Sequence, residues 1–516
     1  MDVFHAFLLC ALIFLIVPLR IIFPFRRRKA NLNLPPAPPT LPVIGNLHQL
    51  GKMPHLSLSK LAKNIGPLMF LWLGEIPAVV ISSAAMAKEV LRTHDRVFSG
   101  RPQLYTAKRL FYGCADITFS PNNAYWRHVR KICILELLNP KRVQSYNFIR
   151  KEEISRLIHR IIDSGPGTVN LTKTLSLYAN HVVCYVILGK NFSDGADYDR
   201  HGLKKMIEEL EELLGGFSIG EFFPSAEFIN VITGQKSRLD RCFRQFDNFF
   251  NEIIEERLDP TREETKGKYL LDVLLSIQKD GSGDMPLTVS NVKAILLDMF
   301  AAGIDTASIT LDWAMTELMI NPTVMKQAQV EVRSIIGERK IVLESDLPQL
   351  HYLKAVLKEV LRLHPPAPMS LPRESIEDVT IDNYVIPAKT RVFINIYAIG
   401  RDPKSWKDPE TFIPERFMDS SIDFKGQDFE FLPFGGGRRV CPGITFALVT
   451  IELALAQLLH SFEWDLPPGV DAKDLDMRET FGLTTRKISD LIVVVKPLSI
   501  ELSKIKSEKE RDFKHV

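Results

Sequence analysis

The sequence has no CxxC pair, and its six cysteines, Cys10, Cys114, Cys133, Cys184, Cys242 and Cys441, are scattered. That excludes a thiolate zinc framework and a redox dithiol, and leaves most of them as small buried hydrophobes in a reducing compartment. An excess of one charge is also missing: 65 Lys and Arg face 62 Asp and Glu, a net +3. Such a balance does not favour nucleic acid, and no long single-sign run suggests an interaction tail. Neither GxGxxG nor GxxxxGK[ST] occurs, so no dinucleotide or phosphate-loop cradle is expected. No internal repeat is evident. What is present is apolar mass, 46% of residues, enough for a large core, and 32 prolines that cluster and punctuate the chain.

Residues 3–25 are almost wholly apolar, broken only by His5 and Arg20, and the basic cluster 26–29 follows at once. A cleaved signal would carry its positive charge first and small residues after. The order here is reversed, and a stretch of about 20 apolar residues crosses a bilayer. A retained single-pass anchor is therefore expected, with everything after it in the cytosol. Residues 26–45, basic and then proline-rich, predict a stiff extended hinge or a plain linker. The catalytic body then spans 46–502, and a charged, frayed tail runs over 503–516. Asn170 and Asn191 head glycosylation patterns that a cytosolic body leaves unused.

Within the body, Leu68–Leu73 and residues 78–82 read as short strands about a Gly74 turn. Residues 86–320 are mainly helical, and strand-like runs return at 379–386, 390–395 and 491–495. The expected class is mainly α with a minor β portion.

The decisive stretch is Phe434-Gly435-Gly436-Gly437-Arg438-Arg439-Val440-Cys441-Pro442-Gly443, before an apolar run, 444–462, that predicts a buried helix. Cys441 thus stands just before a helix N-terminus, whose free N–H groups and dipole favour a thiolate. Glycines, Gly437 among them, let backbone approach a flat partner. With no second cysteine nearby, the arrangement suits a single metal-ligand position; the alternative is a buried cysteine in a glycine-rich turn. The spacing Phe-x-x-Gly-x-Arg-x-Cys-x-Gly arises by chance in a chain this long at on the order of one in ten thousand.

This stretch resembles the haem-binding signature of the cytochrome P-450 family at every fixed position, and the motif order resembles the plant microsomal type, closest to its 71 family. The resemblance implies that fold, with a long central helix over haem b (iron protoporphyrin IX). It makes Cys441 the iron ligand, Phe434 a residue packing near its sulfur and Arg439 a partner of a haem propionate. It also makes Trp126, Arg130 and Arg373 propionate donors, where the residues around Trp126 alone permit an ordinary amphipathic surface helix.

Residues 288–320 run without proline to Asn321-Pro322, with Ala302-Gly303-Ile304-Asp305-Thr306 in the middle. A glycine beside an acid–alcohol pair is unusual in a buried helix. It suits an opening for O2, with Thr306 donating a hydrogen bond and Asp305 delivering protons; equally, Thr306 could bond back to a carbonyl and Asp305 lie at the surface. The family carries this pattern on the helix above the haem. Glu359 and Arg362, at i,i+3, would normally form an exposed bridge. The resemblance instead buries them with Arg416 in a structural network behind the cysteine loop.

The chemistry needs two electrons that the chain has no means of collecting. The resemblance names NADPH–cytochrome P-450 reductase as their source, at the endoplasmic reticulum membrane, with Arg127 and Lys131 available to dock an acidic donor. The expected reaction is monooxygenation, hydroxylation or epoxidation, of an apolar small molecule. Segments resembling the family's substrate-contacting regions are 105–118, 214–223, 296–306, 367–371 and 481–485, and they supply Leu110, Ala301, Ala302, Met369, Ser370 and Thr484 as candidates. Met369-Ser370 stands where two leucines are usual, which suits a bulkier or oxygen-bearing substrate. A terpenoid is expected first and an alkaloid second. The rival classes are a haem-thiolate isomerase or dehydratase, needing no external electrons, and a non-catalytic haem sensor or carrier.

Overall fold

Long apolar runs without proline become helices, and the longest organises the rest. Thr288 and Asn291 form a reciprocal cap in which each backbone N–H is taken by the other's side chain, at 3.2 and 2.9 Å. From there the central helix runs Val289–Ile320, 32 residues, or about 48 Å at 1.5 Å per residue. It ends at Asn321, before Pro322 opens the next helix, Pro322–Ile336. Helices Leu171–Leu188, His351–Leu363 and Ile444–Ser461 pack around it.

The computed structural model describes residues 32–498 apart from 165–166, 191–201, 217, 260, 262–268, 282–284 and 481. The anchor expected at 3–25, the basic part of the hinge, the Asn191 pattern and the tail 503–516 lie outside the described residues. Among the described residues, two helices are long and apolar enough to cross a membrane, Val289–Ile320 and Ile444–Ser461. More than half of each apolar window is buried inside the protein, so both belong to its core.

The architecture is mainly α with a minor β portion. Strands Leu68–Leu73 and Ile76–Ile81 pair antiparallel, and the second runs parallel to Arg391–Ile394, with Ala78 opposite Arg391. Arg373–Glu374 adds an edge to that sheet. A three-stranded sheet joins Thr168–Asn170, Ile492–Pro497 and Phe462–Asp465. The run expected as one strand at 379–386 is two, Val379–Ile381 and Tyr384–Ile386. Asp382 and Asn383 turn between them at φ 48° and 66°, a conformation that Asn and Asp tolerate better than most residues. Glu479–Thr480 and Arg486–Lys487 form a short hairpin that brings the chain's end back to the central helix.

The proline-rich stretch does not run free where it is described. Phe70 N–H donates to Pro36 O at 2.9 Å, and Asn46 Nδ2 donates to Pro39 O at 3.2 Å. Prolines keep their carbonyls but lack donors, so this segment binds as an acceptor along the first strand.

Candidate functional site

The cysteine loop is held by its own backbone. Gly437–Arg439 form a 3-10 turn, and Cys441 N–H donates to Phe434 O at 3.0 Å. Gly443 caps helix Ile444–Ser461. Cys441 is partly accessible, and burial is the largest influence on its thiol, pushing the pKa up against the opposing Gly443 N–H and the Arg130 charge. Desolvation thus works against the helix N-terminus and the Arg130 charge, which favour the thiolate, and a bound metal would displace the proton. Gly437 is packed against protein on its Cβ side. A Cβ there would stand 2.2 Å from Asp95 Oδ1 and 2.6 Å from Leu91 O. Its missing side chain makes room for protein, whereas at Gly435, φ 69°, a Cβ would meet nothing within 4 Å.

Four guanidiniums gather beside this loop, three of them buried and that of Arg130 partly so. Arg130 Nη2 donates to Val440 O at 2.6 Å and Arg373 Nη2 to Gly436 O at 2.7 Å. Arg439 donates through Nε, Nη1 and Nη2 to Ser99, Ile117 and Ser120 carbonyls. The fourth, Arg101, donates to the carbonyls of Thr118, Leu371 and Pro372. Sequence reasoning missed it, since a lone arginine before Pro102 carries no signal. Trp126 stands among them: its single N–H goes to Ile117 O at 3.0 Å, and its ring lies 3.9 Å from the Arg439 guanidinium carbon and 5.6 Å from that of Arg130.

Burial first, then mutual repulsion, lowers Arg439 to about 9; burial lowers Arg373 to about 10. Among the described residues the one carboxylate within ion-pair distance of the four is Asp95, 3.9 Å from Arg373, whose Nη1 has no hydrogen bond. Like charges gathered out of water with so few counter-anions are costly unless something negative joins them. The cluster fits a partner bearing carboxylates, and a lone cysteine sulfur beside it fits one ligand position on a metal. These residues fit haem.

The central helix is buried nearly throughout, but Met299, Ala302, Gly303 and Thr306 are partly or fully open. They recur at i, i+3, i+4 and i+7, so the opening is one face of the helix. Partly open Phe446, Leu448 and Val449 on helix Ile444–Ser461 border the same core as Met299 and Ala301. Thr306 Oγ1 donates back to Ala302 O at 2.7 Å. Asp305 points elsewhere and is buried. It accepts from Thr484 Oγ1, and from Arg486 Nη2 at 2.9 Å; Arg486 also grips Glu211. Burial and then the Asp305 charge raise Glu211 to about 8.

Glu359 and Arg362 are fully buried. Arg362 Nε and Nη2 each donate to the carboxylate at 2.7 Å, and Arg416 Nε joins at 3.0 Å. Ile413 N–H adds a fourth donor at 2.8 Å. Trp406, Phe417 and Phe431 form a small core beside them, against which Phe434 packs, so the network abuts the cysteine loop. Of the substrate candidates, Ala301 and Ala302 lie at the open stretch and Thr484 beside Asp305. Leu110 is buried in the main core, and Met369 packs against the separate core of Leu71 and Leu73 with Phe222. Ser370 adopts φ 53°.

The cytochrome P450 family model matches residues 35–491. Cytochrome P450 71AP13 of Prunus mume is 63% identical over 94% of each chain. Strychnine-11-hydroxylase of Strychnos nux-vomica is 47% identical, over 95% of this chain and 97% of its own. Premnaspirodiene oxygenase of Hyoscyamus muticus is 45% identical, over 90% and 93%. A zebra fish cytochrome P450 solved with abiraterone superposes with a TM-score of 0.74 at 27% identity, covering 87% of this chain and 99% of that one. The cysteine loop, the arginine cluster and the opened helix thus stand in a chain that belongs to the cytochrome P450 family, with haem as its cofactor.

Proposed function

We propose that the protein is an NADPH-dependent haem-thiolate monooxygenase that hydroxylates or epoxidises an apolar specialised metabolite, a terpenoid first. The observation that carries this reading is the open face of the central helix, with Thr306 on it and Asp305 behind it. Cys441 would hold the iron, and Arg101, Arg130, Arg373 and Arg439 the two haem carboxylates. The haem, when bound, supplies the redox chemistry that activates O2.

The chain's own residues exclude water and move protons. Ala302 and Gly303 leave room at the open face, and the surrounding apolar core disfavours charge there. Thr306 is ready to donate once its hydroxyl turns from Ala302 O. Asp305 connects outward: Arg486, partly exposed, joins it to Glu211, whose pKa, raised to about 8, suits it to take up and pass on a proton near neutral pH. A proton entering at Glu211 can reach Asp305 by rearrangement of that one arginine.

Electrons would come from NADPH–cytochrome P450 reductase, with residues 3–25 anchoring the body at the endoplasmic reticulum membrane, facing the cytosol. The 45% identical terpenoid-named oxygenase supports the first substrate class. An alkaloid is the second reading, favoured by the 47% identical strychnine hydroxylase. The test is product analysis of microsomes supplied with reductase, NADPH and a terpenoid and alkaloid panel. A product heavier by one oxygen, dependent on NADPH, is expected; turnover without NADPH would move the protein to the isomerase class.

A further inference from the structure

Two acids that the mechanism leaves unused meet in the interior. Asp116, in the loop after helix Tyr105–Leu110, is 0% exposed, and Asp298, on the central helix, is 4% exposed. The two carboxyl groups are close enough for each to act on the other's titration. Asp298 Oδ2 accepts from Ile117 N–H at 2.6 Å, and Thr118 donates to the same group. Asp116 Oδ2 accepts from Phe119 N–H at 2.8 Å, while its Oδ1, buried, has no donor at all. Two anions in contact away from water repel strongly, whereas one shared proton turns the contact into a short, charge-assisted hydrogen bond. The donors collect on Asp298, which favours its ionised form and leaves the proton to Asp116.

The segment between them is the scaffold of the arginine cluster. Ile117 O accepts from Trp126 and Arg439, Thr118 O from Arg101, and Ser120 O from Arg439. We propose that Asp116 and Asp298 are a proton-sharing pair of positioning residues: neutral Asp116 donates to the Asp298 carboxylate and so pins loop 116–120 to the central helix, with its carbonyls aiming Arg101 and Arg439 at the haem carboxylates. The proposal rests on the haem reading of that cluster.

Other charges around the pair are accounted for. Arg101 and Arg439 face Asp116 and favour its anion, but burial dominates and holds it well above the usual carboxylate range, with Asp298 at about 6. Tyr125, Cys114 and Cys133 adjoin it, and burial pushes each of them up, so they stay neutral where the pair titrates. Both carboxyls are raised in the folded state. Their contribution is therefore complete below the ordinary carboxylate pKa, near 4, and is lost as pH rises through the folded values.

The experiment follows haem retention in the full-length holoprotein from pH 5.5 to 8.5 by the reduced carbon monoxide difference spectrum, comparing wild type, Asp116→Asn and Asp116→Ala. Wild type should lose haem faster as pH rises, by up to about tenfold per pH unit within the window. The amide of Asp116→Asn donates the same bond without a proton to lose, so above pH 7, where Asp298 at about 6 is already ionised, its profile should be flat. Asp116→Ala should retain little haem at any pH. The pair is overturned if Asp116→Asn follows the wild-type profile, if it is as damaged as Asp116→Ala, or if Asp116→Ala behaves as wild type. Should Asp116→Ala not fold, the wild-type and Asp116→Asn profiles decide. A wild type without a haem-thiolate spectrum would instead remove the reading of the site itself.

Discussion

Arg486 reaches two carboxylates at once, Asp305 on the central helix and Glu211 on helix Leu203–Gly215. Removing its charge leaves the two acids to repel each other. Arg486→Gln should cut product formed per NADPH consumed by about tenfold or more, the scale of one lost proton-transfer group, while substrate-induced spectral binding changes little. Glu359 shows the opposite economy. It holds Arg362, Arg416 and the Ile413 N–H together, so Glu359→Ala strands one buried and one partly buried cation. A loss of about 3–5 kcal/mol is expected, seen as lowered haem content in the carbon monoxide spectrum. The spacing of Glu359 and Arg362 is legible in the sequence, but their burial is not, because an i,i+3 pair looks the same on a wet surface. Arg101 and Arg486 are illegible for a related reason: each gains its role from groups hundreds of residues away.

The central helix was readable as an element, from its capping pair, its proline-free length and Pro322 after it. Its opening was readable only in part. Gly303 and the acid–alcohol pair marked the place, yet which side of the helix is open depends on what packs against the other sides. Ala302 is exposed there, so a larger side chain meets space instead of core. Ala302→Phe should therefore fill the opening and abolish substrate-induced spectral shifts, with thermal stability within about 0.5 kcal/mol of wild type. Short strands were less legible. The 379–386 run hides a turn because Asp382 and Asn383 take left-handed conformations that a pattern of apolar residues does not register.

At the scale of the molecule, removal of residues 1–31 should release the protein from membranes while the reduced carbon monoxide spectrum persists; fractionation with spectroscopy checks both. Stability should depend on pH in a defined direction. Burial raises Glu452 to about 7 and Glu211 to about 8. Raised acids contribute fully below their unfolded pKa near 4.5 and lose that contribution as pH climbs through 7 to 8. The melting temperature should thus fall between pH 6 and 9, and Glu452→Gln should flatten part of the slope. Local chemistry alone determined the family, the cysteine loop, the mainly helical class and the apolar N-terminal run, because each is written in contiguous residues. The tertiary structure decided which charges are buried together. Arg101 beside Arg439, Asp116 on Asp298 and Arg486 on Asp305 all join distant segments, and only packing takes them out of water, where charge becomes strong enough to direct chemistry.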